Sequence, residues 1–485
     1  MASSGGATGE GDSASPYCSD DFLAARLSER LGEDWKSTPD GRWFHWDGKR
    51  YREEKTHKVL AISREVCRAV ARDVEAAKLA RDVAGKTKIY AAVALAAVDR
   101  RHMTPLESFD ADPYLLNTPG GTVDLRNGRI RQHDRADLLS RIAAAGPVGK
   151  AAVFSVFLDE ATGGDKELQR FLARVAGYCL TGSIDEHAIF FLHDNGLGMT
   201  GKSTFINVMF GLLGDYATTA PMELFTVATG ERHPAELATL HSVRLVTASE
   251  TEEGRRWDEA KLKAITGGDP ITARFMRGNF FTFRPNFKLL MAGNHRPRMR
   301  SADQAMRRRF HMIPFLHRPK NPDQALSEKL RQEFPGIVAW AIEGELERQR
   351  IGLAPPPAVV AATNEYFQTE NTIGRWMDER CARGSDRTAL TRDLYRDFKS
   401  WASLAGEYSV SERVFSQKLQ QQSGIERWQH PVTRRMGFCG LAPLVATDEL
   451  PLDGHNCVTR PAAGKAEPST SRTYNEAGEW EVDEL

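Results

Sequence analysis

The chain has no long apolar run. Its longest, Ile89 to Val98, is far shorter than the ~20 residues a bilayer span needs. It therefore reads as a buried helix, and no membrane partner is expected. Cysteine is sparse: six in 485 residues, scattered, with no pair at zinc-ligand spacing. That excludes a disulfide framework and points to a reducing cytoplasm. The N-terminus, Met1 to Ser13, has neither a basic nor an apolar signal region and does not read as a secretory leader. Net charge is missing as well. Lys+Arg and Asp+Glu both number 65, which excludes a protein that coats a polyanion by global positive charge but leaves room for a local basic groove. What is present is ordinary globular material, 41% hydrophobic and 27% charged, enough for roughly three domains.

The pattern along the chain divides it. Residues 1–34 read as a flexible segment with a short helix over Phe22–Leu31. Residues 35–182 read as a mainly helical domain. It holds an aromatic hairpin around Asp47-Gly48, an Ala- and Arg-rich helical stretch from Ile62 to Val98, and short strands after the Pro119-Gly120-Gly121 turn. Residues 183–320 change to α/β. Ala188–Leu192 is a continuous apolar run, as expected of a strand buried on both faces, and Ser242–Ala248 and Phe287–Ala292 are further candidate buried strands of a parallel sheet. Residues 321–360 read as a helical connector ending in a stiff linker at Pro355-Pro356-Pro357. Over 361–445, helices at Asn364–Arg380, Thr388–Leu404 and Ser411–Gln421 precede a basic strand pair within Trp428–Leu441, the outline of a winged helix. Residues 446–485 carry nine acids against three bases and read as a disordered tail.

The chemistry starts at Gly196-Leu197-Gly198-Met199-Thr200-Gly201-Lys202-Ser203, which matches G-x-x-x-x-G-K-[ST] between an apolar strand and a helix. Glycines there let backbone N–H groups turn inward around phosphate oxygens, and the helix N-terminus adds partial positive charge. Gly196, Gly198, Thr200, Gly201, Lys202, Ser203 and Thr204 are the candidate nucleotide contacts. Lys202 is expected on the β- and γ-phosphates of ATP and Ser203 on Mg²⁺. Glu250 follows the second apolar strand, at the end where α/β sheets bind ligands, so it suits a water-polarising or Mg²⁺-holding role; Glu252 and Glu253 read as surface. Asn294 ends the third strand and suits a sensor of γ-phosphate and water. From Arg274 to Arg309 ten Lys/Arg face a single acid, Asp303. Interleaved phenylalanines read as core from Phe280 to Phe287, and the cations as contacts to nucleic acid or nucleotide. Arg307-Arg308-Arg309 suits either a finger reaching a neighbouring subunit's ATP or contacts to a phosphate backbone or the solvent-facing surface.

Together Gly201-Lys202-Ser203-Thr204-Phe205, Ala248–Gly254, Thr266–Arg274, Ala292-Gly293-Asn294-His295 and Arg308–Phe315 resemble the superfamily 3 helicase domain of phage and plasmid primase-helicases, related to the poxvirus type. Upstream, Phe109–Pro113, Leu116–Leu125 and Gly177–Gly182 resemble the helical domain that precedes it. Thr200 stands where relatives often have Asn, and Ser249 where many have a second acid. The resemblance implies an α/β, P-loop, AAA+-like core in a ring, usually a homo-hexamer, that translocates on single-stranded DNA and unwinds forks. It implies a finger at Arg308 or Arg309 and a DNA-contacting loop and hairpin around Lys263, Arg274 and Arg277. The expected setting is a phage, prophage or similar element in a bacterial cytoplasm, with a separate primase or polymerase as partner. The primase-polymerase domain of many relatives is not expected here, and Asp110-Ala111-Asp112 reads as structural. The alternative is a DNA-dependent ATPase that loads or remodels a partner without processive unwinding. A non-catalytic DNA-binding module is a third class, opposed by the intact Lys202, Ser203, Glu250 and Asn294.

Overall fold

The computed structural model describes residues 16–227, 235–249, 255–274, 280–293, 296–299, 303–369, 372–405, 407, 409–420, 422, 424–444, 473–474 and 480–481. Chain contacts divide it into two compact units, Met1–Glu370 and Asn371–Leu485.

The first unit opens with α1 (Asp20–Leu31), whose first turn is capped by the Ser19 hydroxyl accepting from the Phe22 N–H. An antiparallel meander follows: β1 (Trp35–Ser37), β2 (Trp43–Trp46) and β3 (Tyr51–Glu53). At its turn the Asp47 carboxylate accepts from the Lys49 and Arg50 N–H groups. The Ala- and Arg-rich stretch is three helices, α2 (Lys58–Arg72), α3 (Ala77–Val83) and α4 (Lys86–Ala97). The expected buried helix is buried on one side only. Ile89, Ala92 and Ala96 face the core, whereas Tyr90 and Leu95 are exposed, because α4 packs mainly on α1 and α2.

A second meander, β4 (Leu115–Thr118), β5 (Gly121–Asp124) and β6 (Arg129–Arg131), precedes α5 (Ala152–Ala161) and α6 (Lys166–Leu180). Asp110 accepts from the Ser140 N–H and hydroxyl, and Asp112 pairs with Arg126, so both acids hold local structure.

The α/β core then runs β7 (Ile189–His193), α7 (Lys202–Leu213), β8 (Ala217–Thr219), α8 (Ala235–Ala238), β9 (Leu245–Ser249) and α9 (Glu259–Gly267). The hairpin β10 (Ile271–Arg274) and β11 (Phe280–Phe283) leads to β12 (Lys288–Ala292), α10 (Gln304–Arg309) and β13 (Phe310–Pro314). Five of these strands form one parallel sheet, ordered β13-β7-β12-β9-β8. Side chains alternate across it. Phe190 and Leu192 join the core under α6 and α7, and Ile189 and Phe191 join the opposite core with Trp257 and Leu262. With both faces covered, β7 and β12 are buried at every residue, which is why Ile189–Leu192 and Leu289–Ala292 are apolar throughout.

Two buried cations pin the near end of this sheet. Arg244 donates to the Leu180 and Leu115 carbonyls, and Lys288 to those of Thr181 and Ser183. Lys288 therefore does not belong among the cations expected on nucleic acid. Burial pushes its pKa down to about 7.

The unit closes with α11 (Leu326–Gln332), α12 (Phe334–Ile351) and α13 (Pro357–Thr369). Helices α6 and α12 cross backbone to backbone: a Cβ on Gly344 would lie 2.0 Å from the Ala173 carbonyl oxygen, and one on Gly177 2.3 Å from the Glu345 nitrogen. Pro357 opens a helix instead of a spacer. Its fixed φ suits the first turn, and α13 packs on β13, with the Thr363 hydroxyl accepting from the Met312 N–H.

The second unit runs α14 (Thr372–Arg380), β14 (Cys381–Leu390), α15 (Thr391–Leu404), α16 (Glu412–Gln420), β15 (Glu426–Gln429) and β16 (Met436–Pro443). The strands form an antiparallel sheet ordered β14-β16-β15 over a core of Trp376, Phe398, Trp401, Phe415 and Phe438. Apart from residues 473–474 and 480–481, the expected tail lies outside the described residues.

Candidate functional site at the strand ends

The sheet brings the expected motifs to one edge. Leu192 at the end of β7 is in register with Ala292 at the end of β12, which is in register with Ser249 at the end of β9. The glycine loop leaves β7 here, between β12 and β13: the chain runs from β7 toward β8 and β9 on one side, and from β12 crosses back over β7 to β13 on the other. That is the switch point at which open α/β sheets bind ligands. Glu250 and Asn294 follow the neighbouring strand ends in sequence, but both lie outside the described residues, as do Glu252, Glu253 and Arg277.

The loop has the backbone its sequence asks for. Gly196, Gly198, Met199 and Gly201 all take positive φ, at 79°, 63°, 57° and 91°. At Gly201 a side chain is also excluded by space, because a Cβ would lie 2.8 Å from the Phe157 ring. Lys202 begins α7 and is buried; Ser203 in the same turn is exposed and Thr204 half-buried.

The loop folds around a residue the sequence motifs do not include. Asp194, directly after β7, is fully buried. Its Oδ1 accepts from the Gly196 N–H at 3.1 Å and its Oδ2 from the Gly198 N–H at 2.9 Å; the Thr200 hydroxyl lies 3.4 Å from Oδ2. The Lys202 ammonium sits 2.5 Å from Oδ1. Burial alone would raise this carboxyl; Lys202 and the two N–H groups outweigh it and hold the pKa below the usual value. The loop's donors thus converge on an anion, which is the fit that phosphate oxygens require. The only signal in the sequence was an acid two residues before the first motif glycine.

Two more arginines brace the loop. Arg318 Nε donates to the Gly198 carbonyl at 3.0 Å, and Arg296 reaches Asn195 Oδ1 and His193 Nδ1. Burial, with Arg296 beside it, pushes the His193 pKa down to about 4, so the ring is neutral at pH 7. Its Nε2 has no hydrogen-bond partner among the described residues.

The arginine triplet resolves into three different environments. Arg307 donates to Asn364 Oδ1. Arg309 donates to the Thr266 hydroxyl at 3.1 Å and the Ala305 carbonyl at 3.0 Å. Arg308 is exposed, with no side-chain hydrogen bond or ion pair among the described residues. Lys263 on α9 pairs with Asp303, the N-cap of α10, so its charge ties two helices together. Arg274 pairs in register with Phe280 across the hairpin, its guanidinium 5.0 Å from that ring. The expectation of core for Phe280–Phe287 holds for Phe283 and Phe287, which are buried. It fails for Phe280, 61% exposed, because a two-stranded ribbon leaves one face uncovered near its tip.

Comparison with known proteins agrees with these motifs. Residues 24–174 match the family model described as D5 N terminal like, and residues 195–309 match a model described only as a family of unknown function, DUF5906. A protein of Acanthamoeba polyphaga mimivirus named as a helicase, L207/L206, is 25% identical over 324 residues, covering 61% of this chain and 34% of its own length. A Frog virus 3 protein named as a helicase, 022R, is 26% identical over 296 residues, covering 55% and 29%. The chain thus spans about a third of the length of these curated relatives. Among solved structures, two of the NrS-1 C-terminal region align with TM-scores of 0.48 and 0.49 at 9% identity, covering 86% and 87% of this chain and 98% and 99% of theirs. The resemblance to the poxvirus-type primase-helicase family read from the motifs is borne out.

Proposed function

We propose that this chain is an ATP-driven DNA helicase of a phage, prophage or similar element, working as a ring on single-stranded and forked DNA. The observation that carries the reading is the loop after β7: positive-φ glycines and Lys202 direct their donors at one anion, at the sheet's switch point. The helicase names of the viral relatives support the DNA half of the reading.

Gly196, Gly198, Thr200, Gly201, Lys202, Ser203 and Thr204 would hold the phosphates of ATP. Ser203 and Glu250 would hold Mg²⁺, which when bound spreads the charge of the transferring phosphoryl group. Glu250 and Asn294 orient the attacking water in this reading. Arg308 is the finger offered to a neighbouring subunit, since among the described residues its side chain has no hydrogen bond or ion pair, whereas Arg309 is tied to Thr266. The strand order around β7 suits an AAA+-like core, and such a ring, a hexamer in this proposal, completes each site across an interface. Arg274, with Arg277, would contact the strand through the hairpin. Lys263 would act indirectly, through α10. In this reading the second unit, ordered helix, strand, two helices and strand pair, is a winged helix. Its Arg427 and Arg435 line a cavity together with Arg392 and Arg396, and we assign that surface, with the adjacent Arg434, to nucleic acid. A separate primase or polymerase would supply the remaining replication chemistry.

The test is ATP hydrolysis by purified protein with Mg²⁺, with and without single-stranded DNA, beside Lys202→Ala. The proposal expects turnover that rises with DNA and disappears in the variant. Turnover equal in both proteins would overturn it.

A further inference from the structure

Asp194 is not part of the glycine-loop motif, which begins at Gly196, and the phosphate chemistry has no use for an anion in that place. Yet its buried carboxylate takes the Gly196 and Gly198 N–H groups and the Lys202 ammonium, three of the donors the nucleotide reading assigns to phosphate. Like charges sharing donors in a low-dielectric site repel strongly. A lysine ammonium has three protons and can bridge two anions. Whether Lys202 moves to the phosphates or is shared with them, the carboxylate therefore weakens their hold.

We propose that Asp194 is an internal counter-anion: it competes with the phosphates of bound nucleotide for Lys202 and the loop N–H groups, and so speeds product release. It is a positioning residue that acts through Lys202. The inference rests on the nucleotide-binding reading of this loop. It gives the loop an alternative closed partner at each turnover, so that departing ADP leaves the Lys202 ammonium and the Gly196 and Gly198 N–H groups paired.

The experiment uses the full chain carrying Asp194→Asn. This substitution keeps an oxygen to accept from a loop N–H and removes the charge. Binding and dissociation of a fluorescent Mg·ADP, and the kcat and KM for ATP, are compared with wild type. The expected result is ADP binding on the order of tenfold tighter, the scale of one charge-assisted hydrogen bond, with slower ADP dissociation and a fall in both kcat and KM. A residue that merely shapes the loop would give the opposite, weaker binding. Asp194→Ser, which also offers an uncharged acceptor, must shift ADP affinity in the same direction. ADP affinity unchanged or reduced in a folded variant would overturn the inference, and so would failure of both variants to fold. Wild-type protein that binds neither ADP nor ATP would instead overturn the nucleotide reading itself. Binding that is lost in Lys202→Ala but indifferent to Asp194→Asn would sink only the present inference.

Discussion

Gly201 shows how tightly a single residue is specified. Its φ of 91° and the Phe157 ring 2.8 Å from any added Cβ leave glycine as the only fit. Gly201→Ala should cost about 1–3 kcal/mol of stability and displace Lys202, so a thermal melt and an ADP titration should both register it. Arg308 and Arg309, adjacent and chemically identical, should behave differently. Arg309→Ala should lower the melting temperature, since it removes the hydrogen bonds to Thr266 and Ala305. Arg308→Ala should leave the melt and ADP affinity alone and reduce ATP turnover by a factor on the order of 10³ or more, as expected of a finger. Equal melting losses in the two variants would refute that division. From sequence the two arginines were indistinguishable, because what separates them is the position of Thr266, 43 residues upstream. Asp194 was missed for a related reason. An acid after a strand is common, and only the folded loop shows its carboxylate facing the Gly196 and Gly198 N–H groups.

At the scale of elements, local pattern was a good guide where burial is two-sided and a poor one where packing decides. β7, β9 and β12 were legible because a parallel strand covered on both faces is predominantly apolar. The loop and α7 were legible because glycine and lysine positions are imposed by backbone geometry. The triple proline misled because proline suits both a stiff spacer and the first turn of a helix, and the contact of α13 with β13 selects the helix. The crossing of α6 and α12 has no sequence signature, because a glycine inside a helical pattern does not show which backbone it packs against. A methyl on Gly344 would sit 2.0 Å from the Ala173 carbonyl oxygen. Gly344→Ala should therefore destabilise the first unit by about 1–3 kcal/mol through overpacking, despite alanine's better helix propensity. A higher melting temperature for that variant would contradict the packing argument. The β10–β11 hairpin makes a separate prediction: Phe280→Ala combined with Arg274→Ala should weaken single-stranded DNA binding, read by fluorescence anisotropy, without lowering the melting temperature.

At the scale of the whole molecule, three histidines tie stability to pH. Burial pushes His193, His241 and His311 down to about 4 in the folded chain, against about 6.5 when unfolded. Above pH 6.5 both states carry neutral rings and the histidines impose no penalty. Between about 6.5 and 4 the unfolded chain takes up protons that the folded chain refuses, so stability falls with acidification, by at most about 1.4 kcal/mol per pH unit for each proton. His311, its ring between Phe171 and Phe190, is the cleanest test. His311→Phe should flatten the dependence of the melting temperature on pH across that window, and an unchanged slope would contradict the assignment. The basic stretch from Arg274 to Arg309 also divides only at this scale. Lys288 pins the sheet, Lys263 and Arg309 tie neighbouring elements, and Arg308 and Arg274 stand at exposed positions or beside an exposed ring. A charge count along the sequence cannot make that division, since it depends on which cations the fold has already paired.

The most direct test of the account is unwinding of a forked DNA by the purified chain with ATP and Mg²⁺, set beside Lys202→Ala. The account predicts strand separation by the wild type and none by the variant. Hydrolysis without separation would favour a loader or remodeller, and separation that survives Lys202→Ala would contradict the account outright.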